Sequence, residues 1–309
     1  MRLPPHSCLE TLNLKDWLLT VRTPFLLLSV ILVCVGGAAA GYEGFFIPSH
    51  FLLALLGLIL AHISVNTLNE YFDFKTGIDF HTVKTPFSGG SGVLPAGRLK
   101  PASVYRLGVL CLALAAIIGA YFVAVKGWML LPILLLGGFF TAFYSNLLSR
   151  AMLGEVSAGL GLGVLPVLGA YYVHTGFYSW EAAMAAFPCG LLTFNLLLLN
   201  EFPDVEADRK GGRRNLVIRF GLKGAAWIYS LLTAATYLSV LAGVWLGLLP
   251  PSCLLAFLTL PFAFKAVKGA FQAEENEKLI EGLKANVLTV LGTQSMLALG
   301  FFLASLVSL

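Results

Sequence analysis

Charge is what this 309-residue sequence most lacks. Asp, Glu, Lys and Arg make up 12% of it, about half the roughly 25% of a soluble domain. With 58% hydrophobic residues and a mean hydropathy of +0.85, that shortage excludes an ordinary water-soluble globule. Cysteine is scarce too. Cys8, Cys34, Cys111, Cys189 and Cys253 are scattered, most of them inside apolar runs. They form neither a metal-binding spacing nor a disulfide framework, and are expected as small buried hydrophobes. The period-2 alternation of a membrane barrel is also missing, so the long apolar runs must be helices. No nucleic-acid partner is expected.

What is there is a set of nine apolar windows, each long enough to cross a bilayer at about 20 residues. They cover roughly 24–42, 51–70, 103–125, 128–147, 152–173, 180–200, 224–247, 251–270 and 286–308. The expected fold is an all-α membrane protein of about nine transmembrane helices, forming one domain over residues 1–309. A cleaved leader ending at Ala38-Ala39-Ala40 is the rival for the first window. It would have to carry Glu10 and Asp16, which argues against it.

Basic residues are missing from one side. With alternating topology, every Lys and Arg except Lys126 falls on the N-terminal arm, in the second, fourth, sixth and eighth connections, or on adjoining helix ends. The positive-inside rule then places the N-terminus and these loops in the cytoplasm. A multi-pass protein of the cell membrane with a cytoplasmic working face is expected. The segment 272–284, with Leu279, Ile280 and Leu283 among charges, reads as a surface helix at the membrane boundary.

Against this apolar background one pattern occurs twice. Leu68-Asn69-Glu70-Tyr71-Phe72-Asp73 closes the second window, and Leu199-Asn200-Glu201-Phe202-Pro203-Asp204 closes the sixth. Each runs on to a further acid, Asp79 and Asp208. A spacing of four windows suggests a pseudo-repeat of helices 1–4 and 5–8. His62, Asn66, Asn69 and Asp73 recur at helical period and form one stripe. Asn200, Asp204 and Asp208 form another if the sixth helix continues past Pro203. Polar stripes in a span are costly and face an interior. Carboxylates and amides without clustered Cys or His favour Mg²⁺, Ca²⁺ or Mn²⁺ over zinc. Mg²⁺ commonly joins one or two carboxylates to substrate phosphate oxygens. Cations follow each patch: Lys75, Lys84, Arg98 and Lys100, then Arg209, Lys210, Arg213, Arg214 and Arg219. Acids beside bases suit a diphosphate bound through bridging metal. The run Ser88-Gly89-Gly90-Ser91-Gly92 offers backbone N–H groups to it, although a mobile loop is the simpler reading. Bland readings apply elsewhere. His62 is expected to pack or hydrogen-bond, Glu155 to pair with Arg150, and Gly159 and Gly163 to form a helix-packing face.

Asn69-Glu70-x-x-Asp73 with Gly77-x-Asp79, and Asp204-x-x-x-Asp208 with the basic cluster after it, resemble the UbiA superfamily of intramembrane prenyltransferases. Lys75-Thr76-Gly77-Ile78-Asp79 resembles its menaquinone-type branch, whose acceptor is dihydroxynaphthoate. The family's first motif is Asn-Asp-x-x-Asp-x-x-x-Asp. Here Glu70 replaces the second residue, and the third acid follows Asp73 by six places instead of four. The resemblance implies Mg²⁺-dependent transfer of a polyprenyl group from an allylic diphosphate to an aromatic quinone precursor in the bilayer, through a carbocation. Mn²⁺ is the alternative metal. Metal ligands would be Asn69, Asp73, Asp79, Asp204 and Asp208. Catalysis would fall to Asp73, Asp204, Tyr144, Lys75 and Arg214. Substrate contacts would come from Arg22, Asn66, Asn69, Lys84, Ser91, Arg98, Ser145, Asn200 and Lys210. Tyr144 reads equally as a cation-stabilising ring and as an interfacial tyrosine. A glycerol-phosphate or heme acceptor is the alternative within the family. A secondary transporter is the alternative outside it, disfavoured because the acids lie at one boundary and not at the midplane.

Overall fold

The structure is a computed structural model describing residues 13–82, 85 and 88–307. Lys84 lies outside these residues, as do Cys8 and Glu10. Among the described residues there is no strand, and nine helical stretches are long and apolar enough to span a membrane. They are Thr23–Tyr42, Pro48–Thr76, Pro101–Lys126, Trp128–Leu148, Gly154–Thr175, Trp180–Asn200, Leu216–Trp245, Pro251–Phe271 and Asn276–Val307. We call them the first to the ninth span. Proline stands at the first turn of several, where its missing N–H costs nothing. Gly77, at φ 83, ends the second span in the left-handed cap that glycine adopts freely.

The outward faces are apolar. Leu52, Ile117, Leu135, Leu231, Leu238 and Trp245 are all exposed. So large an apolar surface requires a lipid solvent, and the chain is a multi-pass membrane protein. Inside, small residues bring helices close. A Cβ on Gly163 would lie 2.7 Å from Gly190 Cα, so the fifth and sixth spans touch backbone to backbone, as the Gly159 and Gly163 spacing predicts. A buried polar seam joins the sixth, seventh and ninth spans. Asn195 Nδ2 donates to Thr233 Oγ1 at 2.9 Å, and Tyr229 OH to Asn286 Oδ1 at 3.0 Å.

Three boundaries differ from expectation. The second span continues to Thr76, which puts Asn69, Glu70 and Asp73 on one helix, while Asp79 follows the Gly77 cap in a short 3-10 turn, Ile78–Phe80. The seventh span begins at Leu216, interrupted at Gly221 (φ 71, ψ 170). The ninth begins at Asn276, so most of the segment 272–284 is no separate surface helix. Leu279 and Leu283 are buried, and a Cβ on Gly269 would meet Gly282 Cα at 2.5 Å. That backbone contact with the eighth span holds the early turns in the bundle.

Two stretches wind as π-helix, Tyr144–Leu148 and Leu160–Val164. Such segments carry one extra residue in a turn and often border functional sites.

Candidate active site

The second and sixth spans bring their C-terminal ends to one cavity of about 240 Å³. The 4, 3, 4 spacing of His62, Asn66, Asn69 and Asp73 puts all four on the cavity face of one helix. His62 Nδ1 pairs with Ser29 Oγ at 2.8 Å, the hydrogen-bonded role expected of it. Asn66 Nδ2 donates to Val21 O at 3.0 Å. Asn69 receives Arg22 Nη2 at 3.4 Å and donates to Ser145 Oγ at 3.2 Å. Asp73 receives Arg213 Nη2 at 2.5 Å.

The second motif is built differently. The sixth span stops at Asn200, a turn follows, and a short helix, Val205–Lys210, carries Asp208. The expected single stripe of Asn200, Asp204 and Asp208 is therefore broken, because Pro203 follows a helix end and does not sit within a helix. All three still line the cavity. Asp208 is buried and receives Arg213 Nη1 at 3.2 Å and Asn215 Nδ2 at 3.0 Å. Asn215 in turn caps the seventh span through Ile218 N at 2.8 Å.

Five carboxyl groups face the cavity, from Asp73, Asp79, Glu201, Asp204 and Asp208. Three guanidinium groups face them, from Arg22, Arg213 and Arg214. The shortage of positive charge shows in the acids. Burial, then Glu70 and Asp73, pushes Asp79 up to about 7. Burial, then Asp208, pushes Asp204 up to about 7. Burial raises Asp208 as well, against Arg213, and with Glu155 nearby holds Glu201 well above the usual range. For Arg213, burial acts to lower the value, but Asp73 and Asp208 outweigh it and the group is firmly charged.

Among the described residues, Asp79 Oδ2, Asn200 Oδ1, Glu201 Oε2 and Asp204 Oδ1 are buried without a hydrogen-bond partner. Buried oxygens of this kind are normally satisfied. Hard oxygen donors with spare lone pairs, in excess negative charge, fit a divalent cation such as Mg²⁺. Among the described residues no three acidic, His or Cys side chains converge on one ion-sized point. Mg²⁺ commonly takes one or two carboxylates and draws its remaining ligands from water and phosphate.

Toward Leu58 the lining is apolar, and Phe25, Leu28, Val65, Phe140, Leu162 and Leu196 add further apolar surface to the cavity. Leu58 lies roughly four helical turns before Asp73, so polar and apolar ends are about 22 Å apart. Tyr144 lines the wall at the start of the π-helical stretch.

Arg22, Asn66, Asn69, Asp73, Asp79, Tyr144, Asn200, Asp204, Asp208 and Arg214 are thus brought together. Others are not. Lys75 is exposed, its Nζ 6.0 Å from the Tyr71 ring centroid. Arg98 pairs with Asp16 at 2.6 Å outside the cavity. Lys210 is exposed on the short helix. Ser145 sits behind Asn69, and Ser91 donates to Glu70. Glu155 does not pair with Arg150; its Oε1 accepts from Leu216 N at 2.7 Å. Sequence reasoning passed over Arg213 as one of a cluster and left Glu70 without a role. No local signal separates Arg213 from Arg214.

Fold and site define a multi-pass membrane protein whose chemistry is gathered in one acid-rich, amphipathic cavity. Residues 29–288 match the UbiA prenyltransferase family, and the chain belongs to that family; it is a prenyltransferase. The 1,4-dihydroxy-2-naphthoate octaprenyltransferase of Bacillus subtilis is 29% identical over 257 residues, 82% of this chain and 81% of that one. The 2-carboxy-1,4-naphthoquinone phytyltransferase of Synechocystis is 25% identical over 276 residues, 87% of each. Among solved structures, a UbiA homolog from Aeropyrum pernix superposes with a TM-score of 0.67 at 18% identity, over 88% of this chain and 96% of that one. A UbiA homolog from Archaeoglobus fulgidus bound to DMAPP and Mg²⁺ gives 0.62 at 16%, over 94% and 98%. At such identities the structures show the shared fold.

Proposed function

We propose that the chain transfers a polyprenyl group from an allylic polyprenyl diphosphate to an aromatic quinone precursor of the dihydroxynaphthoate kind, using Mg²⁺. The observation that carries this reading is the two-ended cavity. Its acid-rich end suits a metal-bound diphosphate, and the apolar lining beyond it suits an isoprenoid chain. The relatives that act on naphthoate and naphthoquinone acceptors support the aromatic acceptor.

Asn69, Asp73, Asp79, Asp204 and Asp208 would hold Mg²⁺, which neutralises charge on the diphosphate when bound. Arg22, Arg213 and Arg214 supply fixed positive charge at the same end, placed where negative charge grows as the allylic C–O bond breaks. Asn66 and Asn200 contribute amide groups to the donor site. The apolar wall excludes water from the carbocation-like centre, and the Tyr144 ring face stabilises it. The electron-rich acceptor ring then attacks and loses its proton. The whole chain acts as one domain in the cell membrane, a pseudo-repeat of two four-helix halves, with the cavity's polar end toward the cytoplasm. The charge asymmetry around Lys126 supports that orientation.

The test is purified protein in detergent with geranylgeranyl diphosphate and dihydroxynaphthoate, with Mg²⁺, Mn²⁺ or EDTA. Diphosphate release and mass spectrometry of the organic product are the readouts. The expected result is metal-dependent release with a prenylated naphthalene product. Release only with a glycerol-phosphate acceptor would overturn the aromatic assignment. Absence of metal-dependent donor binding would overturn the reading as a whole.

A further inference from the structure

We propose that Glu70 is a positioning residue that holds Arg22 and the glycine-rich segment 88–92 at the diphosphate end of the cavity. The inference rests on the proposed function for what that end binds.

Glu70 stands in the first motif beside Asn69, where its position suggests a metal ligand. Its surroundings argue otherwise. It is fully buried, 0% exposed, on the second span. A carboxylate in such a place must be met by donors. Oε1 receives Arg22 Nη2 at 2.8 Å, Arg22 Nε at 3.2 Å and the backbone N–H of Ser91 at 2.8 Å. Oε2 receives Ser91 Oγ at 2.6 Å. Three donors converge on Oε1 and one on Oε2, so neither oxygen of Glu70 is left without a partner. Asp79 and Asp204 differ: each keeps a buried oxygen without a partner. The acids with an unpartnered oxygen are the ones equipped to take a cation, and the acid whose two oxygens are both engaged is equipped to organise its neighbours.

What Glu70 organises comes from two separate parts of the chain. Arg22 sits at the junction before the first span with φ 54, a left-handed conformation that a side chain adopts only when its surroundings hold it. Two donors of its guanidinium are fixed by Glu70, which orients the group where it lines the cavity. Segment 88–92 folds over the same carboxylate. Gly90 has φ +65, and a Cβ there would stand 2.7 Å from Asp79 Oδ1 and 3.6 Å from Glu70 Oε1. Ser88, Gly89 and Gly90 consequently form part of the cavity wall. One carboxylate thus fixes a cation from the N-terminal side and a glycine loop from the second connection, both against the helix that carries Asn69 and Asp73. Length is the critical property. Aspartate is one methylene too short to reach both partners. Glutamine keeps the reach and an acceptor for Ser91 N, but loses the charge that orients Arg22.

The experiment compares Glu70→Asp, Glu70→Gln, Arg22→Ala and the Glu70→Asp/Arg22→Ala pair, each checked for an unchanged melting profile in detergent. Donor KM, kcat and the Mg²⁺ concentration for half activity are measured with geranylgeranyl diphosphate. Hydrogen exchange of the peptide containing 88–92 is followed in metal-free protein. Glu70→Asp is expected to raise donor KM about ten-fold, the worth of one charge-assisted hydrogen bond. The Mg²⁺ requirement should stay within about two-fold of the parent. Arg22→Ala should add little in the double variant, because both act through one contact. Exchange in 88–92 should speed up in Glu70→Asp and less in Glu70→Gln. A ten-fold rise in the Mg²⁺ requirement with donor KM unchanged would overturn the inference and make Glu70 an ion ligand. Unchanged exchange in 88–92 would overturn it as well. Should the parent protein turn over no donor, the proposed function fails, while exchange in metal-free protein still decides whether Glu70 holds the loop.

Discussion

Arg213 donates to Asp73 at 2.5 Å across 140 residues of sequence. The same guanidinium reaches Asp208 at 3.2 Å. A base from the second motif's loop therefore neutralises the first motif's central acid, and the two halves of the site are tied before any substrate arrives. Asp73 and Asp208 would otherwise be two buried carboxylates facing one cavity.

Asp73→Ala and Asp204→Ala should each reduce turnover by about a hundred-fold or more, the scale of losing a group that stabilises transition-state charge. Neither should unfold the protein. Arg213 keeps Asp208 when Asp73 is gone, and among the described residues Asp204 has no ion-pair partner to strand. Diphosphate release together with a detergent melt checks both halves, and normal turnover in either variant would count against the site.

Arg213→Gln leaves Asp73 and Asp208 without their shared cation. Breaking a buried pair from one side costs about 3–5 kcal/mol, so the metal-free melt should fall clearly. Mg²⁺ should raise the melting temperature more in this variant than in the parent, because the ion then supplies charge the arginine no longer does. An equal Mg²⁺ effect in both proteins would show that Arg213 and the ion do not share the same acids.

Asp79 and Asp204 are held at about 7 in the folded chain and return to about 4 on unfolding. Between those values the folded state binds more protons than the unfolded state. Stability of the metal-free protein should therefore fall as pH rises through this window. In EDTA the protein should melt higher at pH 5 than at pH 8, and Asp79→Asn should flatten the difference. Mg²⁺ binding near pH 7 should release protons, which calorimetry in two buffers of different ionisation enthalpy measures.

Lys126→Ala and Lys75→Ala should both keep turnover within about three-fold, as surface changes away from a site do. Lys126 Nζ donates to His174 O at 2.7 Å, and Lys75 lies over Tyr71 outside the cavity. A large loss in either, measured by diphosphate release, would relocate the working face.

The nine spans were legible because a bilayer demands apolar length and internal backbone pairing, and composition alone reports both. The polar stripe from His62 to Asp73 was legible because one unbroken helix carries it. Lys75 misled for the same geometric reason. Two residues past Asp73 is about 200° around a helix, which turns it away from the acid beside it in sequence. The second motif resisted a periodic reading because the chain leaves the helix after Asn200 and re-enters at Val205. Arg98 with Asp16, and Glu70 with Ser91, are contacts between distant segments that no local pattern encodes.

The π-helical stretches make the chain sensitive to residue number at two places. Each turn of Tyr144–Leu148 and Leu160–Val164 holds one residue more than an α-helix would. Deleting one residue there would close the wide turn as regular α-helix and leave the flanking turns on their present faces, shifting only the side chains of the stretch itself. Tyr144 and Leu162 would then no longer share a wall with their present neighbours. A one-residue deletion in either stretch is therefore expected to change which of its own side chains face the cavity while sparing the rest of the span.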